Sequence, residues 1–264
     1  MKLKRRKFLK LAGSGLFVPV ISRGVELPFF VSRSGVISNG LLSGTLGYWK
    51  MDENLAIGGN RADSTGNGWT ATDVTSLTPS ATGLINNCAN INTIAKGFSV
   101  STNIDTRAQT TPFAVSLWLR QSDIRAGNGV IAKIVSGGVG WLIYPDAQSP
   151  TSKLHWYTTT DANVVSDSLA NANIDASAFN HIVAGYDGTN KLFYLNNVNL
   201  ITTAVAGVNR GTNVIAFGNY SDFGVTTGVA GLFDEIAYFN FMPSVAQVNL
   251  LNNGGAGLPF SSYS

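Results

Sequence analysis

From residue 44 onward the chain reads as short stretches of β-branched and aromatic residues, each cut off by Gly, Asn or Asp. This rhythm constrains the fold more than any other feature, because it forces the backbone to reverse at close intervals and favours short strands over helices. In 113–120 (FAVSLWLR), Phe113, Val115, Leu117 and Leu119 share one face and Ala114, Ser116 and Trp118 the other. Both faces are largely apolar, which predicts a central strand. Residues 181–186 and 191–195 flank Asp187-Gly188, a pair that supplies the positive φ of a tight hairpin. Further strands are expected over 45–52, 69–73, 86–92, 97–100, 129–135, 140–144, 153–158, 163–167, 199–203, 213–217 and 229–240. One short helix is expected after Ser244, with Gln247 at capping-box spacing and Gly254 to close it. Val245, Val248 and Leu251 form its apolar stripe. The expected class is an all-β sandwich of two antiparallel sheets.

Charge narrows the range of partners. The formal net charge is +3, but residues 1–25 hold seven basic groups and no acidic one. The remaining chain has 11 basic against 15 acidic residues, a net of −4. Without clustered Lys and Arg there is no phosphate-binding surface, so nucleic acid is not an expected partner. A single cysteine, Cys88, excludes a disulfide within the chain and is expected as a small core residue.

The first 25 residues look like an address. Arg5, Arg6, Phe8 and Leu9, followed by Lys10 and a short apolar run, resemble the twin-arginine export signal of bacteria. No small-x-small cleavage site follows, so the segment doubles as a candidate anchor, the only expected membrane contact. The organisation read from the sequence is a signal-like segment at 1–25, a linker or arm at 26–43, a sandwich domain at 44–254 and a tail at 255–264.

Six stretches in order resemble the concanavalin A-like lectin/glucanase superfamily, in its laminin-G-like branch. They are GTLGYWKMDE (44–53), RADSTGNGWTATD (61–73), TGLINNCANIN (82–92), FAVSLWLR, FNHIVAGYDGTNKLFYLNN (179–197) and GLFDEIAYFNFMPSVAQVNLLNNG (231–254). Asn86 departs from the pattern, standing where Gly is usual. The resemblance implies a jelly-roll sandwich, a fold that hosts lectins, glycosidases, adhesion modules and virion proteins alike.

The glucanases of that superfamily place their carboxyls as Glu-x-Asp-x-x-Glu on one strand, and no such string occurs. Glu53 and Glu235 each neighbour an Asp, which on a strand points the pair to opposite sides. His155 has no acid or nucleophile within sequence reach, and His181 reads as structural. The chain is therefore expected to have no catalytic residues. On a strand alternating from Leu232 through Ile236 and Tyr238, Asp234 is expected on the core face, where a carboxylate needs a partner. The resemblance implies that it meets Asp63 and Asn67 at a structural Ca²⁺, an oxygen-liganded site; otherwise Asp63 caps its own turn and Asp234 pairs with an Arg such as Arg61. Candidate sugar-binding aromatics are Trp69, Trp141, Tyr144, Trp156, Tyr157 and Tyr220. The expected function is an exported module that binds a glycan or a protein on a cell or particle surface. The alternatives are a structural virion or envelope component with an N-terminal attachment arm, and an atypical glycosidase.

Overall fold

The structure, a computed structural model, describes residues 30–31, 37–53, 59–74, 78–123, 126–135, 137–147 and 152–263. The signal-like residues Arg5, Arg6, Phe8 and Leu9 lie outside these. The chain opens with a short antiparallel pair, β1 (Phe30–Val31) and β2 (Ile37–Ser38). It continues through β3 (Thr45–Trp49), β4 (Asn60–Arg61), β5 (Ala71–Val74), β6 (Thr78–Thr82), β7 (Asn87–Ile91) and β8 (Gly97–Val100). Next come β9 (Phe113–Asp123), β10 (Ile131–Ala132), β11 (Trp141–Pro145), β12 (Lys153–Thr159) and β13 (Val165–Asn173). The series closes with β14 (Asn180–Tyr186), β15 (Asn190–Leu195), β16 (Val198–Ala204), β17 (Ile215–Phe217), β18 (Ala230–Phe239) and the helix α1 (Val245–Asn252).

These strands form two eight-stranded antiparallel sheets. Sheet I runs β13-β12-β11-β10-β17-β8-β5-β4, and sheet II runs β16-β15-β14-β9-β18-β7-β6 with β3 also paired to β18. The expected all-β jelly-roll sandwich is what the chain forms. Turn chemistry follows the sequence closely. Asp187 Oδ1 accepts from the backbone N–H groups of Thr189 and Asn190, and Gly188 takes φ 104°. Asn196 and Asn197, both at positive φ, join β15 to β16 in the manner of a two-residue hairpin.

The main core lies between the sheets. Phe113 packs against Trp141 at 5.7 Å between ring centroids, and Phe98 against Phe233 at 6.0 Å. As the alternation predicts, Phe113, Val115, Leu117 and Leu119 belong to this core, while Ala114 packs on the opposite face. Lys191 fastens the layers together: its buried ammonium, carried by β15, donates to the carbonyls of Trp156 and Ser166 in sheet I, each at 2.7 Å.

A second cluster covers the outer face of sheet II, where Val248 and Leu251 of α1 and Tyr263 pack over Tyr48, Ala237 and Phe239. Leu41 is fully buried there, and the Leu42 N–H donates to the Tyr263 carbonyl. The sandwich thus runs outward past the limits drawn at 44 and 254, because both flanking segments supply apolar side chains to it. The helix has its capping box, with Ser244 and Gln247 exchanging hydrogen bonds. One expectation for it needs correcting: Val245 is exposed; at the far end Asn253 and Gly254 are both left-handed, and Gly254 helps close the helix as expected. Ser244→Ala is expected to cost about 1 kcal/mol in urea unfolding, the usual worth of such a cap.

Candidate functional site

Alternation along β11 and β12 sorts the candidate aromatics into two groups. Trp141 and Trp156 are fully buried in the core between the sheets, with ring centroids 5.9 Å apart, so neither presents a surface to a ligand. Tyr144 and Tyr157 have the opposite parity and stand on the outer face of sheet I. One register row crosses all eight strands of that face: Asp167, Tyr157, Leu142, Ala132, Ala216, Ser99, Thr72 and Asn60. The small side chains at its centre leave room above Ala132, Ile134 and Leu142, which Tyr144, Tyr157 and Tyr220 share as a common layer. Tyr220 reaches the layer from the loop after β17, where its hydroxyl donates to the Gly127 carbonyl at 3.0 Å.

A polar network fixes one side of this face. The Tyr144 hydroxyl donates to Asp167 Oδ2 at 2.5 Å, and His155 Nδ1 lies 3.0 Å from Asp167 Oδ1. The rings of Tyr144 and His155 stack with centroids 4.3 Å apart and planes within 10°. Burial, then the Asp167 carboxylate, raises the Tyr144 and Tyr157 hydroxyls above their ordinary range. Tyr220 is raised by burial first and Asp222 second. All three therefore remain neutral hydrogen-bonding groups at neutral pH. Sequence spacing alone gave His155 no acid partner; cross-strand pairing of β12 with β13 brings Asp167 to it. Flat rings with polar rims suit a ligand with one apolar and one hydroxylated side.

Trp69 stands apart from this face. It is half-buried against the inter-sheet core, and its carbonyl accepts from the Trp49 indole N–H at 2.6 Å.

The metal expectation does not fit the donor set. Asp63 Oδ1 accepts from the N–H groups of Tyr48 and Thr65, Oδ2 accepts from Trp69 N–H, and the Thr65 hydroxyl reaches both oxygens. The Asn67 side chain turns its NH₂ to the Leu46 carbonyl. Asp63 thus caps its own turn. Asp234 is held by other donors, accepting from Leu84 and Ile85 N–H at Oδ2 and Glu235 N–H at Oδ1. It does not pair with Arg61, which binds Asp73 at 3.0 Å. Among the described residues no three His, Cys, Asp or Glu gather as metal ligands.

The parity behind the Asp234 expectation fails at a β-bulge. Opposite β9, Asp234 pairs with Trp118 but Ala237 with Ser116, so two residues of β18 face one of β9. Glu235, at φ 45°, is the kinked residue. Phe233, Ile236 and Tyr238 point into the core, while Asp234 lies on the Trp118 face. On that face His181 stacks on Trp118 at 4.8 Å and meets the Ser116 hydroxyl at 2.9 Å, the structural role expected of it. Cys88 is buried, and burial pushes its thiol up to about 12.

Fold and surface together define a jelly-roll β-sandwich carrying an open aromatic face. Residues 95–249 match a laminin-G-like family model, described as concanavalin A-like lectin/glucanases superfamily, and the chain belongs to that family. No curated protein matches the chain by sequence. Among solved structures, the binding domain of Paraclostridial Mosquitocidal Protein 1 aligns at TM-score 0.62 and 14% identity, over 81% of this chain and 53% of that one. Domain 4 of AbnA, a GH43 extracellular arabinanase from Geobacillus stearothermophilus, solved with arabinotriose, aligns at 0.59 and 18% identity. The match covers 81% of this chain and 98% of that domain. A botulinum neurotoxin type C structure, from a protein whose cell entry depends on two ganglioside molecules, aligns at 0.55 and 13% identity, over 83% and 52%. The chain spans about half the length of the two toxin chains. At these identities the likeness establishes the fold.

Proposed function

We infer that this chain is an exported, non-catalytic binding module that recognises glycans through the tyrosine face of sheet I. The observation that carries this reading is the convergence of Tyr144, Tyr157 and Tyr220 over one patch, with His155 and Asp167 locked beside them. Tyrosine rings cover the apolar C–H side of a sugar, and their hydroxyls with the imidazole edge meet its OH groups. Sugar-binding neighbours of the same fold, the arabinotriose-bound domain above all, support the choice of ligand class. The glutamates support a non-catalytic role. Glu235 is buried, Glu53 is engaged by Arg61 and the Ala62 N–H, and Glu26 lies outside the described residues. Export rests on the basic leader. Among the described residues no helix is long and apolar enough to cross a membrane.

A glycan array probed with the full chain and with Tyr157→Ala tests the reading. The wild type is expected to give hits that survive EDTA, and Tyr157→Ala to weaken them at least tenfold with an unchanged melting temperature. An array without hits, or hits that Tyr157→Ala retains in full, rejects the tyrosine face as a glycan site.

A further inference from the structure

Away from the tyrosine face, two clefts adjoin one another across Gln109, which lines both. The first, about 430 Å³, lies against Thr102, Arg107, Asp161, Arg210 and Thr212. The second, about 490 Å³, is walled by Val164, Val165 and Val205, with Thr160 and Ser166 among them.

Beneath the first cleft the interior charges do not balance. The buried Asp105 carboxylate takes Arg107 at 2.8 Å and Arg210 at 3.1 Å, and accepts the Tyr238 hydroxyl at 2.9 Å. Lys133, fully buried, donates to the carbonyls of Thr102 and Asp105. Two arginines thus share one carboxylate, the only one paired to either among the described residues, and the Lys133 ammonium sits on its main-chain carbonyl, so positive charge exceeds negative there. Burial pushes the Lys133 ammonium down to about 8, against the opposing Asp105 charge, with Arg210 adding a smaller push in the same direction as burial.

Arg107 carries that surplus to the surface. Its side chain is 31% exposed. It donates twice to Asp105 and once to the Asn240 carbonyl. Of five guanidinium N–H groups, two remain at the cleft. The one acidic residue lining this cleft, Asp161, has Oδ1 occupied by the Asn209 amide at 2.7 Å. Gln109 is oriented as well: its Oε1 accepts the Asp161 N–H, and it lies against Gly207, where a Cβ would approach within 3.0 Å.

We propose that the paired clefts form a second ligand site, in which Arg107 binds the anionic group of an acidic saccharide and the sugar body crosses Gln109 onto the valine-walled cleft. A lone inorganic anion would fill only the first cleft. A sugar with an apolar face and hydroxyls uses both, and the charged group, carboxylate or sulfate, sits where the positive surplus emerges. The site is independent of the tyrosine face and makes the module bivalent.

The test is an NMR titration of the full chain with sodium glucuronate, glucose 6-sulfate, glucose and sodium sulfate. Glucuronate, glucose 6-sulfate or both are expected to shift amides of residues 102–107 and 209–212 at least tenfold below the concentration at which glucose or bare sulfate does. Which of the two acts separates carboxylate from sulfate recognition. Arg107→Gln is expected to abolish the response. Because that change also strips a partner from Asp105, Thr212→Glu is the companion variant; it sets a negative charge on an exposed lip and should weaken binding at least tenfold. Tyr157→Ala should leave the titration unchanged, so failure here is distinct from failure of the tyrosine face. Three results overturn the proposal: a glucose response equal to that of the acidic sugars, a bare-sulfate response equal to theirs (an adventitious ion only), or full binding by Thr212→Glu.

Discussion

Asp105→Asn is expected to lower the unfolding free energy by about 3–5 kcal/mol, the cost of stripping one partner from a buried ion cluster. Burial alone would raise this carboxyl, but the Arg107 hydrogen bonds and the Arg210 charge outweigh it and hold Asp105 below the usual carboxylate range. It is the anion that neutralises part of the charge on Arg107 and Arg210 and accepts the Tyr238 hydroxyl inside the sandwich. An amide in its place keeps the volume and loses the charge, leaving Arg210 stacked on Phe113, 3.9 Å from the ring centroid, without a counter-ion. Urea unfolding followed by tryptophan fluorescence measures the loss. A change below 1 kcal/mol would mean that the cluster is solvated well enough to dispense with its anion.

Raising the pH from 6.5 to 8 is expected to destabilise the fold by about 1–2 kcal/mol, because two carboxyls in β18 are more basic in the folded chain. Burial pushes Glu235 up to about 8 and Asp234 to about 7, the latter against three backbone N–H donors that favour its charged form. Their ordinary values are 4.5 and 3.8. Their contribution is therefore complete below about pH 4 and is lost as pH rises through 7 and 8. Other groups bound the window. Burial lowers His181 to about 3, so below its ordinary 6.5 the unfolded chain gains a proton that the folded one does not, which opposes the carboxyls there. Lys133 and Lys191, each lowered by burial to about 8 from 10.5, recover stability as pH rises through 8 and partly offset the carboxyls. The stability minimum should fall near pH 8. Glu235→Gln, which cannot ionise, should shrink the difference between pH 6.5 and 8 to about 0.5 kcal/mol or less. Guanidinium unfolding at the two pH values decides the matter; an undiminished difference in the variant would move the effect to another group.

The pairing of sequence and fold is instructive at three places. The strand over 113–120 was legible because both of its faces are apolar: the inter-sheet core covers one, and the cluster beneath α1 packs against the other at Ala114. The extension of β13 to Asn173 was not legible. It is an edge strand whose residues alternate between exposed and half-buried, with Ala170 alone fully buried, so its hydrophobic signal is too thin to read. The Glu235 bulge was invisible for a different reason: one left-handed residue inverts the parity of everything before it, and composition carries no mark of that.

The functional face divides in the same way. Tyr144, Tyr157 and Tyr220 were candidates because tyrosine suits sugar contact; alternation on β11 and β12 separates Tyr144 and Tyr157 from Trp141 and Trp156, but it does not say which of the two groups faces outward. By itself, the sequence determined an all-β sandwich, its turns, its capped helix and the lack of a glucanase carboxylate string, since local periodicity and turn chemistry act over a few residues. Only the tertiary structure decided which aromatics face outward, that Asp167 reaches His155, and that one buried carboxylate answers two arginines. Each of those depends on pairing between segments far apart in the chain, where register, and not neighbouring residues, sets what meets what.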